Sequence, residues 1–337
     1  MARVVVVGGG FSGMAAAARL ARLGHEVTLL ERAEHLGGAL TTVAHDDFAW
    51  DAGPTTTLLP AVVRDLFRKS GRPLERELDL QPLDLVREHR FADGSSVRLP
   101  GGSRSAQLAA VESLGAGLGR QWVDHVASYG ELWELLRKEW YERPFDPDVA
   151  PRELVAMLDR RESLHKRLRR SLDDERLRLL AGHRVVMDGH DLRRAPVLAG
   201  VDVYLEQRFG SWTVPGGLAA LGVAMADRLA LRGVNVLTGT PAIDLVVRDG
   251  RVAAVRTAVG EVDADHVVVA IDPRRLPALA SYVRRTMPAF PPVVCHVGLE
   301  GEVPDLPHEV VLHGDPLLVV RTGGRAPDGA PSGRPPR

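Results

Sequence analysis

Apolar positions open the chain in two different rhythms. Val4 to Val7, preceded by Arg3, form an unbroken β-branched run of strand length, and an alanine-rich segment of strong helix formers runs on through Leu23. Between them lies Gly8-Gly9-Gly10-Phe11-Ser12-Gly13. The predicted order is strand, glycine turn, helix. Gly24 stops the helix, and His25 to Leu30 reads as a second strand that ends at Glu31.

Farther along, this alternation gives way between about residues 75 and 213 to short strands and then long helices. Trp122, Val126, Tyr129, Trp133, Leu136 and Trp140 recur at steps of four and three, which places them on one helix face. That face is either the inward side of a core or one wall of an apolar tunnel. From Arg160 to Arg178, basic residues interleave with Leu164, Leu168 and Leu172, and nearby acids, Asp159 among them, dilute the charge, as on a solvated helix face. Val214-Pro215-Gly216-Gly217 reads as a turn opening a helix, and Val234 to Val247, Val252 to Val255 and His266 to Ala270 as sheet closing over the first domain.

The glycine turn carries the candidate chemistry. Backbone N–H groups and the positive end of a helix can face a pyrophosphate only where no side chain intervenes. Gly8 permits the tight turn, Gly10 the close approach of phosphate, and Gly13 the close packing of helix on strand. Glu31, eighteen positions after Gly13, can accept both hydroxyl hydrogens of an adenosine ribose. A second glycine pair, Gly37-Gly38, lets another loop approach the nucleotide, which favours FAD over NAD.

Composition narrows the remaining classes. A chain of 337 residues is long for one core and implies two domains. With 45% hydrophobic and 26% charged residues and a net charge of −1, it is a globular protein rather than a nucleic-acid binder. No segment has the unbroken apolar length of a membrane span, and the start does not resemble a secretory signal, so a cytoplasmic location is expected, with any membrane contact peripheral. Cys295 is the single cysteine, and the 12 histidines form no ligand motif, so no metal site is expected.

With VVVVGGGFSG, LLERAEHLGG, DAGPT and VPGGLAAL in place, the chain resembles the FAD-dependent amine oxidase and phytoene desaturase superfamily, closest to its bacterial phytoene desaturase-like, carotenoid-processing branch. The resemblance implies an α/β fold, a GR2-type flavoprotein with a Rossmann-like FAD/NAD(P)-binding domain and an inserted α+β substrate domain. Its implied boundaries are 1–75 and 214–280 for the FAD-binding parts, 76–213 for the mostly helical substrate domain, and 281–322 for the start of a further substrate segment. It implies FAD lined by Gly8, Gly10, Phe11, Ser12, Gly13, Gly37 and Gly38, with Glu31 and Arg32 at the ribose end and the backbone of Ala242 meeting the adenine. Relatives commonly carry an arginine after the glycine pair, where this chain has Ala39, so a charge-assisted phosphate contact is lost.

The implied reaction is dehydrogenation of an apolar isoprenoid with hydride passing to flavin N5; no catalytic residue can be named, and the oligomeric state is open. The alternatives are an amine oxidase, a carotenoid isomerase or oxygenase, and a nucleotide-binding fragment without turnover. The last arises at the end of the chain. Residues 323–337, rich in Gly, Pro, Arg and Ala, lack periodicity and read as a disordered tail with the composition of a frameshift. Chains of this branch run on well past this point to a final flavin-binding segment. The expectation is therefore a truncated chain that holds FAD poorly and aggregates.

Overall fold

The computed structural model describes residues 1–46, 48–144, 146, 148–158, 162–283, 289–299 and 305–322. The terminal segment 323–337, Asp159 and the first two residues of the basic run, Arg160 and Arg161, lie outside the described residues. The rest falls into two compact units. One holds Met1–Gln81 and the described residues from Thr213 to Val283; the other holds Pro82–Trp212 and the described residues from 289 to Thr322.

In chain order, unit 1 begins with β1 (Arg3–Val7), α1 (Phe11–Arg22), β2 (Glu26–Leu30), β3 (Thr42–His45), β4 (Phe48–Asp51) and α2 (Pro60–Ser70). Unit 2 follows with β5 (Leu85–Arg90), β6 (Ser96–Pro100), α3 (Arg104–Glu112), α4 (Leu118–Ala127), α5 (Gly130–Leu136), α6 (Arg152–Leu158), α7 (Leu164–Ser171), α8 (Glu175–Met187) and α9 (Asp202–Phe209). The chain returns to unit 1 with α10 (Ala219–Leu231), β7 (Asn235–Leu237), β8 (Ala242–Arg248), β9 (Arg251–Thr257), β10 (Gly260–Asp263) and β11 (His266–Val269). β12 (Glu309–Leu312) and β13 (Leu318–Arg321) belong to unit 2.

Unit 1 is an α/β body. Its sheet has the order β11-β1-β2-β7, every pair parallel. β1 lies inside that sheet, which is why Val4 to Val7 are all buried and the run shows no alternation. α1 packs Gly13, Met14, Ala17 and Ala18 inward, places Arg19 and Arg22 at its negative end, and stops before Gly24 at φ +89°. The segment from Val234 to Val247, expected as sheet, forms two strands that join different sheets. β7 completes the parallel sheet; after a turn through Gly239 at φ +60°, β8 opens a separate antiparallel sheet, β8-β9-β10. Its apolar side shares a core with Val5, Val7 and Leu30.

Unit 2 is built on a sheet of order β13-β12-β5-β6, in which β12 runs parallel to β5. The aromatic stripe does not form one helix. α4 ends at Ala127 and α5 starts at Gly130. Trp122, Val126, Tyr129, Trp133 and Leu136 are buried, while Trp140 is exposed. Trp122 and Val126 lie in a cluster with Leu164, Leu168, Leu172, Leu177 and Leu180, as the inward side of a core. The leucines of the basic run face this core, and Lys166, Arg169 and Arg170 face outward, as expected of a solvated helix.

Trp122 also binds a polar hub: its Nε1 donates to Gln107 Oε1 at 3.0 Å, and Gln207 Nε2 donates to the same oxygen at 2.9 Å. Because Gln207 remains as a partner, Trp122→Phe is expected to cost only about 1 kcal/mol plus some packing, measurable as a modest fall in melting temperature. A loss several times larger would show that the hub depends on the indole.

Beside this core lies a buried ionic group. Arg87 donates to Glu309 at 2.8 Å and lies 2.7 Å from a Glu206 oxygen. His89 Nδ1 meets His313 Nε2 at 2.8 Å, and the His183 ring stands edge-on to His89. Burial opposes the charge on Glu309, yet the Arg87 and Arg321 guanidiniums hold its carboxyl at about 2.

Candidate functional site

The first glycine turn lies where β1 ends and α1 begins. Gly8 has φ +107°, and a Cβ there would fall 2.6 Å from the Ile271 side chain. At Gly13 a Cβ would fall 1.9 Å from the Gly8 carbonyl oxygen, so the helix approaches the turn too closely for any side chain. Gly10 differs. Among the described residues a Cβ there would meet nothing nearer than the Gly38 Cα at 4.0 Å, so the backbone at Gly10 is open to a close approach.

The second glycine pair closes one side of that approach. Gly37 N donates to the Gly9 carbonyl at 2.9 Å, and Gly10 and Gly37 form an isolated parallel bridge. Gly37 and Gly38 have φ +120° and +60°, and a Cβ on Gly38 would stand 2.9 Å from the Gly10 Cα. Two glycine loops therefore meet backbone to backbone, a contact that side chains would prevent.

The N-terminus of α1 is open. Gly10 precedes it in extended conformation, no side chain caps it, and its first turn holds no acid. Unsatisfied N–H groups and the helix dipole leave a local preference for an anion. Phe11 and Ser12 occupy this first turn, Phe11 partly buried and Ser12 exposed.

Glu31 stands at the end of β2. Its carboxylate accepts Gly9 N–H at 2.6 Å and Ala33 N–H at 2.8 Å, one bond at each oxygen. A carboxylate has about four acceptor positions, so two remain open. Arg32 is exposed beside it, and Ala242 begins β8, packed partly buried against the cluster containing Leu30. The structure thus brings Gly8, Gly10, Gly13, Glu31, Gly37 and Gly38 together at one end of the parallel sheet.

One contact was not foreseen from the sequence. The turn before α10 is not free: Asp51 of β4 accepts Leu218 N–H at 2.9 Å and Ala219 N–H at 2.8 Å. DAGPT and VPGGLAAL are therefore two halves of one junction, and their separation of 167 residues hid it. Ala39 sits against Gly53, where a Cβ would come within 2.5 Å of the Ala39 carbonyl oxygen. Among the described residues, no group of three or more His, Cys, Asp or Glu could hold a metal ion, and no helix is long and apolar enough to cross a membrane.

The family profile described as flavin containing amine oxidoreductase matches residues 11–330. Hydroxyneurosporene desaturase of Cereibacter sphaeroides is 33% identical over 289 residues, covering 81% of this chain and 57% of that protein. The neurosporene-forming phytoene desaturase of the same organism is 28% identical over 342 residues, covering 92% of this chain and 63% of its own length. The chain thus spans less than two thirds of these curated relatives. An oxidoreductase from Methanosarcina mazei, 18% identical, superposes with a TM-score of 0.56 over 84% of this chain and 64% of that one, and shows the fold.

Proposed function

Since the chain belongs to the flavin-containing amine oxidoreductase family, we propose that it serves as an FAD-dependent oxidoreductase that dehydrogenates an apolar isoprenoid, with unit 1 as its cofactor domain and unit 2 as its substrate domain. The cofactor that goes with this family and fold is FAD. The residues present fit it: the uncapped start of α1, the open backbone at Gly10 and the acceptor positions left on Glu31 face one end of the sheet. That open, glycine-lined helix start is the observation that carries the reading.

In this reading Gly10, Phe11, Ser12 and Gly13 present backbone N–H groups to the pyrophosphate, Gly8, whose own N–H is held by the Leu30 carbonyl at 2.8 Å, shapes the turn that lines it, and Gly37 and Gly38 close over it. Glu31 binds the ribose hydroxyls while its remaining lone pairs keep Gly9 and Ala33 in place. Arg32 stands at the ribose end, and the Ala242 backbone meets the adenine. With no arginine at position 39, the phosphates depend on the turns and the helix dipole. When bound, the flavin supplies a hydride acceptor at N5. The desaturase relatives support an isoprenoid as the hydride donor. A substrate of that kind has no polar handle, and its affinity comes from apolar area, at about 25 cal/mol for each Å² removed from water. A donor carried in lipid supports a cytoplasmic protein working against the membrane surface.

The test is spectroscopic. Loaded with added FAD, the protein should show a flavin spectrum that bleaches on anaerobic addition of an acyclic polyene and is unaffected by an amine; bleaching by the amine alone would reverse the substrate assignment. Glu31→Ala should weaken FAD retention at least about tenfold, since a hydrogen bond to a charged group contributes about 1.5 to 3 kcal/mol. Unchanged flavin content after desalting would remove Glu31 from the site.

A further inference from the structure

Two helices of unit 1 begin at glycine turns, and the protein treats their ends oppositely. The start of α1 is left open, whereas at α10 the N–H groups of Leu218 and Ala219 are both taken by Asp51. Ala220 N and Leu221 N donate to the carbonyls of Gly217 and Leu218, so all four leading N–H groups of α10 have partners within the protein. This terminus is satisfied and has no donor left for a ligand.

Asp51 has a particular address. It closes the β3–β4 hairpin opposite Thr42, and that hairpin follows directly on the second glycine loop. Leu40 N donates to the Gly37 carbonyl at 3.0 Å, Thr41 Oγ1 donates to the Gly38 carbonyl at 3.1 Å, and Ala52 N donates to the Thr41 carbonyl at 2.8 Å. The loop is thus joined to the hairpin base, and the hairpin base to α10. The junction is close-packed as well: a Cβ on Gly217 would lie 2.8 Å from an Asp51 oxygen, and one on Gly222 would lie 2.4 Å from the Leu40 carbonyl oxygen. Thr213 Oγ1 adds a bond to the Thr55 carbonyl at 2.9 Å.

We propose that Asp51 is a positioning residue for the dinucleotide: by clasping α10 it holds the Gly37-Gly38 loop against Gly10. The inference rests on the FAD reading of the glycine turn. It assigns to the DAGPT segment a role exerted through the loop, without contact with the phosphates. Two charge-assisted bonds to a helix start favour the hairpin in one place, and the backbone contact between Gly10 and Gly38 leaves little room for the loop to sit elsewhere.

The experiment uses the full chain and two probes, FAD and ADP, because ADP reaches only the glycine turns. Asp51→Ala should raise the Kd for both about tenfold, while Asp51→Asn, which keeps one acceptor oxygen, should recover part of that loss. Melting temperatures of the ligand-free proteins should differ less than the affinities do. If Asp51→Ala fails to fold, Asp51→Asn carries the test, with an expected severalfold weakening of both ligands. Wild-type binding with unchanged Kd values in a folded variant would overturn the positioning role alone. A wild-type chain that binds neither FAD nor ADP would overturn the cofactor reading and this inference with it.

Discussion

Alanine at Gly10 is expected to leave the thermal stability of the cofactor-free chain unchanged while weakening FAD retention by about ten- to a hundredfold, corresponding to the ~1.5 to 3 kcal/mol of one lost bond to a charged group. The reason is geometric. Among the described residues the added methyl meets no atom closer than 4.0 Å, so folding is unaffected, but it projects into the space a phosphate must enter. Alanine at Gly13 should behave differently. Its methyl would stand 1.9 Å from the Gly8 carbonyl oxygen, which is backbone and cannot rotate away. The cost should reach or exceed the upper end of the ~1 to 3 kcal/mol typical of an overpacked interior. Melting temperature and FAD retention should then fall together. Calorimetry of both variants, with and without FAD, separates the cases; equal losses of stability would refute the distinction between an open and a packed glycine.

The second large effect concerns acid. His125, His313, His89 and His183 lie in the interior of unit 2, and burial lowers the affinity of each for a proton. His125 is brought down to about 4 by burial and then by the nearby Arg167; His313 falls to about 4 by burial. Below the unfolded value of about 6.5, the unfolded chain takes up protons that the folded chain cannot. The stabilising effect is therefore complete above pH 6.5 and is lost as pH falls from there toward 4. His125 alone accounts for roughly 3 kcal/mol across that window, a large share of the ~5 to 15 kcal/mol that holds a domain together. Denaturant unfolding at pH 7, 5.5 and 4.5 should show a steep loss of stability, and His125→Asn should flatten part of it. A pH-independent midpoint over this range would mean that these rings stay accessible to protons.

What could be read in advance was what neighbouring residues decide. The β1 run, the turn from Gly8 to Gly13 and Glu31 at the end of β2 lie within one strand-helix-strand stretch, and each has a local steric or electrostatic reason. The Asp51 clasp depends on a partner 167 residues away, and nothing near either motif signals it. The same holds for the contact of His89, His183 and His313, which come from β5, α8 and the loop after β12. Periodicity found the Trp122 to Trp140 face but not its break at Ser128 and Tyr129, because a helix pair can preserve a spacing of three and four across a short interruption.

The position of β1 also bears on how the protein is made. One of its neighbours, β2, is synthesised within seconds, but the other, β11, pairs Val7 with Val269 and is among the last strands of the unit to be made. At about 5 to 20 residues per second, the valine edge waits roughly ten to fifty seconds, while most of unit 2 emerges between the two halves of its sheet. An apolar strand left unpaired for that long is open to the wrong partners. Soluble yield should accordingly follow the supply of chaperones and the rate of translation more closely than the stability of the finished fold.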